Sequence, residues 1–173
     1  MGKFIAGLVF AIIVAVVAGY AVITTGTIPA GAGGANPLPL ERWAAKASLT
    51  ATLKREAPNR PNPVKLNDAN LIAGIKLFQQ HCAICHGGPK GNAAPTPISK
   101  GEYPSPPQLA SAGVEDDPES WTFWKIENGI RWTGMPAWRS TLPREQAWTL
   151  ALFLKHMNKL PPGPEAVWKH SDH

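Results

Sequence analysis

Cys82 and Cys85 are the two cysteines of the chain, and His86 follows the second directly. A thiol pair at this spacing can do four kinds of chemistry. A zinc site needs two more ligands at workable spacing. No third cysteine exists, and His81, His156, His170 and His173 supply no H-x-x-x-H partner. A thioredoxin-type redox pair belongs in a βαβ context, and the sequence offers none. A disulfide over so short a loop stabilises little. The fourth chemistry is thioether formation. Two intervening residues put both sulfurs on one side of a helical turn, where each can add to a vinyl group of haem. The histidine that follows then reaches the iron from the proximal side. Cys82-Ala83-Ile84-Cys85-His86 is therefore read as the attachment site of one covalent haem c, with His86 as an iron ligand.

A sixth ligand comes next. Thioether sulfur is the common partner of histidine in electron-transfer haems and raises the reduction potential. Of three methionines, Met1 is the initiator, and Met157 falls inside an amphipathic segment that reads as core. Met135 sits in Thr133-Gly134-Met135-Pro136-Ala137-Trp138. Gly134 allows a close approach, and Pro136 keeps Met135 out of helical geometry, so a sulfur on this loop can be aimed at an iron. The rivals are weaker. His81 adjoins the attachment cysteines and cannot easily reach across the ring, and His156 would need its helix laid over the distal face. Cys82, Cys85, His86 and Met135 are the predicted cofactor-binding residues, and His86 and Met135 the predicted metal ligands. No residue is assigned a catalytic role.

These side chains need elements to hold them. Leu71, Ile75, Phe78, Cys82 and Cys85 recur at spacings of four, three, four and three, which predicts one helix over about Asp68–Cys85 whose apolar face runs into the haem. A second helix is expected over about Pro118–Glu127, with Asp117 as N-cap and Pro118 as first residue. A third is expected over about Pro143–Asn158, carrying Trp148, Leu152, Phe153 and Met157. Trp121, Trp124, Trp132, Trp138 and Trp148 are read as core. No segment shows the alternation of a long strand. So small a core with so much loop needs a staple, which a covalent cofactor provides.

The remaining residues set the context. Phe4 to Thr24 carry no charge, and about 20 such residues span a bilayer as a helix. A signal peptide has a shorter apolar run, so residues 1–24 are read as a retained anchor, with a weak A-x-A at Ala30–Ala32 leaving cleavage as the alternative. Lys3 precedes the run, and the next positive charge is Arg42. That asymmetry puts the N-terminus in the cytoplasm and the rest outside. Residues 25–65 read as a Pro/Gly-rich linker with a possible short helix over 40–56, where Leu40, Trp43, Ala47 and Ala51 share a stripe. Residues 66–160 form the compact domain. Residues 161–173 open with Pro161, Pro162, Gly163 and Pro164 and are expected to be extended. Lys and Arg number 17 against 12 acids, a formal charge of +5. The basic residues are scattered, and no nucleic-acid module is present.

A family resemblance emerges from these residues. Gly74 to Gly87, Glu127-Asn128-Gly129-Ile130, Gly134-Met135-Pro136-Ala137-Trp138 and Glu145-Gln146-Ala147-Trp148 resemble the bacterial class I cytochrome c domain. The form is most similar to that of the third subunit of cbb3-type oxidases and related membrane-bound carriers. The resemblance implies an all-α cytochrome c fold, here preceded by one transmembrane helix. It implies that the first and last helices cross, with Gly74 and Phe78 meeting Trp148 and Leu152. It also implies a proline carbonyl orienting the proximal histidine, for which Pro95 and Pro97 are the candidates. Trp138 and Arg131 are candidates for bonding a haem propionate.

The function expected is electron transfer by a membrane-tethered, monohaem, His/Met-ligated cytochrome. It would exchange electrons with redox proteins, chiefly membrane complexes, as a mobile-headed carrier or as a subunit of a respiratory or dehydrogenase complex. The expected location is the cytoplasmic membrane, with the haem domain facing the periplasm. A peroxidase-like haem enzyme and a haem-based sensor are the alternative classes, and a closed His/Met iron disfavours both. Lys90, Lys100, Arg131 and Arg139 are candidates for steering an acidic partner.

Overall fold

A computed structural model of the chain describes residues 1–27, 31, 36–89, 95–112 and 114–170. The A-x-A alanines, Ala30 and Ala32, and the basic candidate Lys90 fall outside these residues. The chain divides into two compact units, Met1–Ala32 and Gly33–His173. Among the described residues every regular element is helical.

The first unit is built on α1 (Gly2–Thr24), and none of its residues is buried. Its 23 residues extend about 35 Å at 1.5 Å per residue, enough to cross a hydrocarbon core. It is the one helix among the described residues that is long and apolar enough to do so.

The second unit begins with α2 (Pro39–Glu56), opened by a proline in its first turn. Then comes α3 (Asp68–His81), where Asn67 caps the start by accepting a hydrogen bond from the Asn70 N–H at 2.8 Å. The sequence expects one helix to Cys85. The chain instead kinks at Cys82 (φ −116°), and α4 (Ala83–His86) follows as a separate turn, ended by Gly87 at φ +74°. Short elements α5 (Pro97–Gly101) and α6 (Leu109–Ala112) lie in the proline-rich strap, ahead of a 3-10 turn at Val114–Asp116. Then come α7 (Glu119–Asn128), α8 (Arg144–His156) and α9 (Pro162–Lys169). Asp117 does not cap α7. Its carboxylate pairs instead with Lys125, eight residues on and within α7, so the charge that would have met the first N–H groups is spent on an ion pair.

The core centres on the crossing of α3 and α8. At Gly74 a Cβ would lie 2.5 Å from Phe153 Cβ and 2.8 Å from the Thr149 carbonyl, so only glycine lets the two helices touch here. The partners across the crossing are therefore Thr149 and Phe153, not Trp148 and Leu152. Thr149 and Phe153 stand four residues apart on one face of α8, whereas Trp148 is turned toward α7 and stacks on Phe123 at 4.0 Å.

The expected extended tail is a helix. Prolines stop a helix from its interior but suit its first turn, and in α9 Pro162 and Pro164 occupy that turn. An ion pair, Glu165–Lys169 at 2.6 Å, closes one side. Trp168, on the other side, packs edge-on against Phe78 and Phe153, with ring centroids 5.5 and 5.2 Å away. Trp132, read as core, is 89% exposed and takes φ +61° in the loop after α7.

Candidate functional site

α4, the strap, α7, α8 and the loop after α7 enclose a cavity of about 580 Å³, within the usual range of cofactor sites. Ile84, Leu109, Ile126, Leu150 and Leu154 give it an apolar lining. Cys82, Cys85, His86 and Met135 all line it as well. All four sequence-predicted site residues thus share one chamber.

The proximal wall is fixed by bonds from the strap onto the α4 turn. Thr96 donates to the Ile84 carbonyl, and the Gln108 side-chain N–H donates to the Cys85 carbonyl at 3.2 Å. His86 Nδ1 lies 2.8 Å from the Pro107 carbonyl. A carbonyl only accepts, so Nδ1 carries the proton and the Nε2 lone pair is left free for a metal. The orienting proline is Pro107 rather than Pro95 or Pro97. The two upstream prolines sit at the start of the strap around α5, and the chain returns to His86 only after passing Pro104 and Pro106. The signal was the run of Pro104, Pro106 and Pro107 ahead of α6, which composition alone could not rank.

Both thiols are poised as neutral S–H groups. Burial, reinforced by the neighbouring Cys85, pushes the Cys82 thiol up to about 12. Burial also raises Cys85, helped by the charge of Glu102 and by the hydrogen bond that Cys85 Sγ donates to Glu102 Oε1 at 3.7 Å. A disulfide oxidoreductase or a thiolate metal site needs the opposite shift. Among the described residues no three His, Cys, Asp or Glu side chains converge as a metal site.

The distal wall is a loop with no regular structure, held through its backbone. Gly129 ends α7 at φ +67°, and a Cβ there would lie 2.7 Å from the Met135 carbonyl oxygen and 2.8 Å from the Pro136 carbonyl carbon. The Met135 carbonyl accepts from the Ile130 N–H at 3.3 Å, and the Met135 N–H donates to Thr133 Oγ1 at 3.1 Å. Trp138 N–H closes the loop onto the Ile126 carbonyl at 3.0 Å. Gly134 is approached by the Glu102 carboxylate, which a Cβ would meet at 2.7 Å, not by backbone. Sequence reasoning missed Gly129 and Glu102. The first was visible only as part of a motif, and the second as one acid in a strap.

The other candidates separate. His81 lines the cavity, with its ring 5.3 Å from that of Trp138. His156 lies 3.8 Å from Glu119. Met157 is buried in the core. Trp138 lines the cavity and Arg131 is exposed, as are Lys100 and Arg139.

The residues present fit a covalently held haem: an apolar chamber of suitable size, two neutral thiols in its wall, and an imidazole whose protonated nitrogen is already engaged. A family model described as cytochrome C oxidase, cbb3-type, subunit III matches residues 69–154. No curated protein sequence matches the chain significantly. The family match runs from the first turn of α3 to the end of the cavity wall on α8 and takes in the attachment turn and the methionine loop; the domain built by these residues is a cytochrome c domain of this family.

Proposed function

We propose that this cytochrome is a single-haem electron carrier tethered to the cytoplasmic membrane by α1, with its haem domain on the periplasmic side. A haem-based electron-transfer role follows from the family. The finer assignment is our own, and one observation carries it: Cys82, Cys85, His86 and Met135 line a single cofactor-sized cavity.

In this reading Cys82 and Cys85 would hold the haem as thioethers, His86 Nε2 and Met135 Sδ would ligate its iron, and the haem would supply a one-electron Fe(II)/Fe(III) couple. The chain does the rest. Pro107 keeps His86 in the tautomer that presents Nε2. The apolar lining excludes water, which favours the less charged, reduced state. Two protein ligands leave no open position for oxygen or peroxide, so the function is carriage rather than catalysis. Exposed Lys100, Arg131 and Arg139 bias encounters toward acidic redox partners, donor and acceptor both. The tether raises the local concentration beside membrane complexes, and the domain serves either as a mobile head or as a subunit of one.

The test is expression in a host that matures c-type haem. The expected product has the polypeptide mass plus one haem, a Soret band, the absorption that axial sulfur gives oxidised haem, and no rapid carbon monoxide binding when reduced. Apo mass with no Soret band would contradict covalent attachment. Fast carbon monoxide binding would point to an enzyme or a sensor.

A further inference from the structure

Leu40, Trp43, Ala47 and Ala51, which share a stripe in the sequence, form a face of α2 that points away from the domain. Leu40 is 74% and Trp43 67% exposed, and Leu38, just before the helix, is 71% exposed. Ala44, Ala47 and Ala51 are exposed too. What holds α2 to the domain is another face. Leu53 is 3% exposed, Leu49 is half-buried, and Glu41 accepts a 2.6 Å hydrogen bond from the Tyr103 hydroxyl. At 100° per residue the Leu49–Leu53 face and the apolar stripe lie roughly 145° apart around the axis. One side is seated on the domain, chiefly against α7, and the opposite side is apolar and exposed among the described residues of this unit.

Two features identify what covers it. The chain between Thr24 and Pro39 is residues 25–38, which reach at most about 50 Å fully extended. A helix anchored this close behind a membrane span stays within reach of the bilayer surface. Exposed Lys54 continues the stripe at its C-terminal end, exposed Lys46 lies about 60° beyond Trp43 around the axis, and the acid Glu41 is engaged by Tyr103. Apolar residues with an exposed tryptophan, edged by lysines, match the boundary between acyl chains and anionic headgroups. We infer that the Leu40–Trp43–Ala47–Ala51 face of α2 is a foot that lies in the headgroup layer of an anionic membrane. Because α2 is fixed to α7, the foot sets the height and tilt at which the haem domain stands on the bilayer. The inference rests on the proposed role of α1 as an anchor.

The test uses the full-length holoprotein in nanodiscs of phosphatidylglycerol and phosphatidylcholine, carrying a nitroxide at Trp43→Cys or, in a separate sample, at the exposed control Ser140→Cys. Retention on the disc through an alkaline wash reports α1 independently. The expected result is a retained protein in which the label at 43 collides with oxygen more than with a water-soluble nickel complex, and the label at 140 shows the reverse. A retained protein whose label at 43 is as aqueous as that at 140 overturns the foot and leaves the anchor standing. A label at 43 shielded from both reagents means that protein, not lipid, covers the face, and it also overturns the foot. Loss of the protein in the wash overturns the anchor, and the foot with it.

Discussion

The two walls of the proposed haem cavity are built by different means. The proximal wall is a helix turn. Cys82 caps α4 and Cys85 and His86 ride on it, behind a close-packed crossing of α3 and α8 that Trp168 closes from outside. The distal wall is an irregular loop, and Met135 is held there by backbone contacts around Gly129 and by one threonine hydroxyl. Packing fixes the first and chain geometry fixes the second. Damage to the first should unfold the domain. Damage to the second should move the sulfur while the domain stays folded.

Variants that break this contrast rank as follows. Trp168→Ala removes an aromatic shared by Phe78 and Phe153 and should lower stability by about 3–5 kcal/mol, as denaturant unfolding followed by helix signal would show. Unchanged stability would mean that α9 is not part of the core. Gly74→Ala should cost about 3 kcal/mol, because neither Phe153 Cβ nor the Thr149 carbonyl can retreat without parting the helices. Its absorption spectrum should remain that of the parent. Gly129→Ala should cost about 2 kcal/mol, from a left-handed φ and a Cβ pressed on the Met135 carbonyl. Unlike Gly74→Ala, it should weaken the axial-sulfur absorption before the protein unfolds. Thr133→Val removes the acceptor for the Met135 N–H and the donor to the Ile130 carbonyl. It should cost about 1 kcal/mol and make the sulfur ligand easier to displace by added imidazole. If the two glycine variants gave the same spectrum, the two walls would not be separate devices.

The walls also differ in how far the sequence discloses them. The proximal residues are one contiguous motif on a helical stripe, so local spacing is enough to find them. Met135 is legible because Gly134 and Pro136 flank it. What the sequence hides is long-range. Pro107 bonds His86 across 21 residues of strap, and nothing local distinguishes it from Pro95 or Pro97. The partners of Gly74 depend on the register of α8, where every residue from Ala147 to Leu154 is buried, so periodicity could not pick Thr149 and Phe153 over Trp148 and Leu152. α9 was masked by its own prolines, which end a helix or begin one depending on position. The stripe on α2 is legible as a stripe, but periodicity does not say whether an apolar face meets the core or something outside it.

The central proposal is that Met135, together with His86, would ligate the haem iron. The direct test is the absorption spectrum and reduction potential of Met135→Ala beside the parent. The account predicts that covalent haem is retained, the axial-sulfur absorption vanishes, the reduced protein gains carbon monoxide binding, and the potential falls. An unchanged spectrum and an unchanged potential would contradict it.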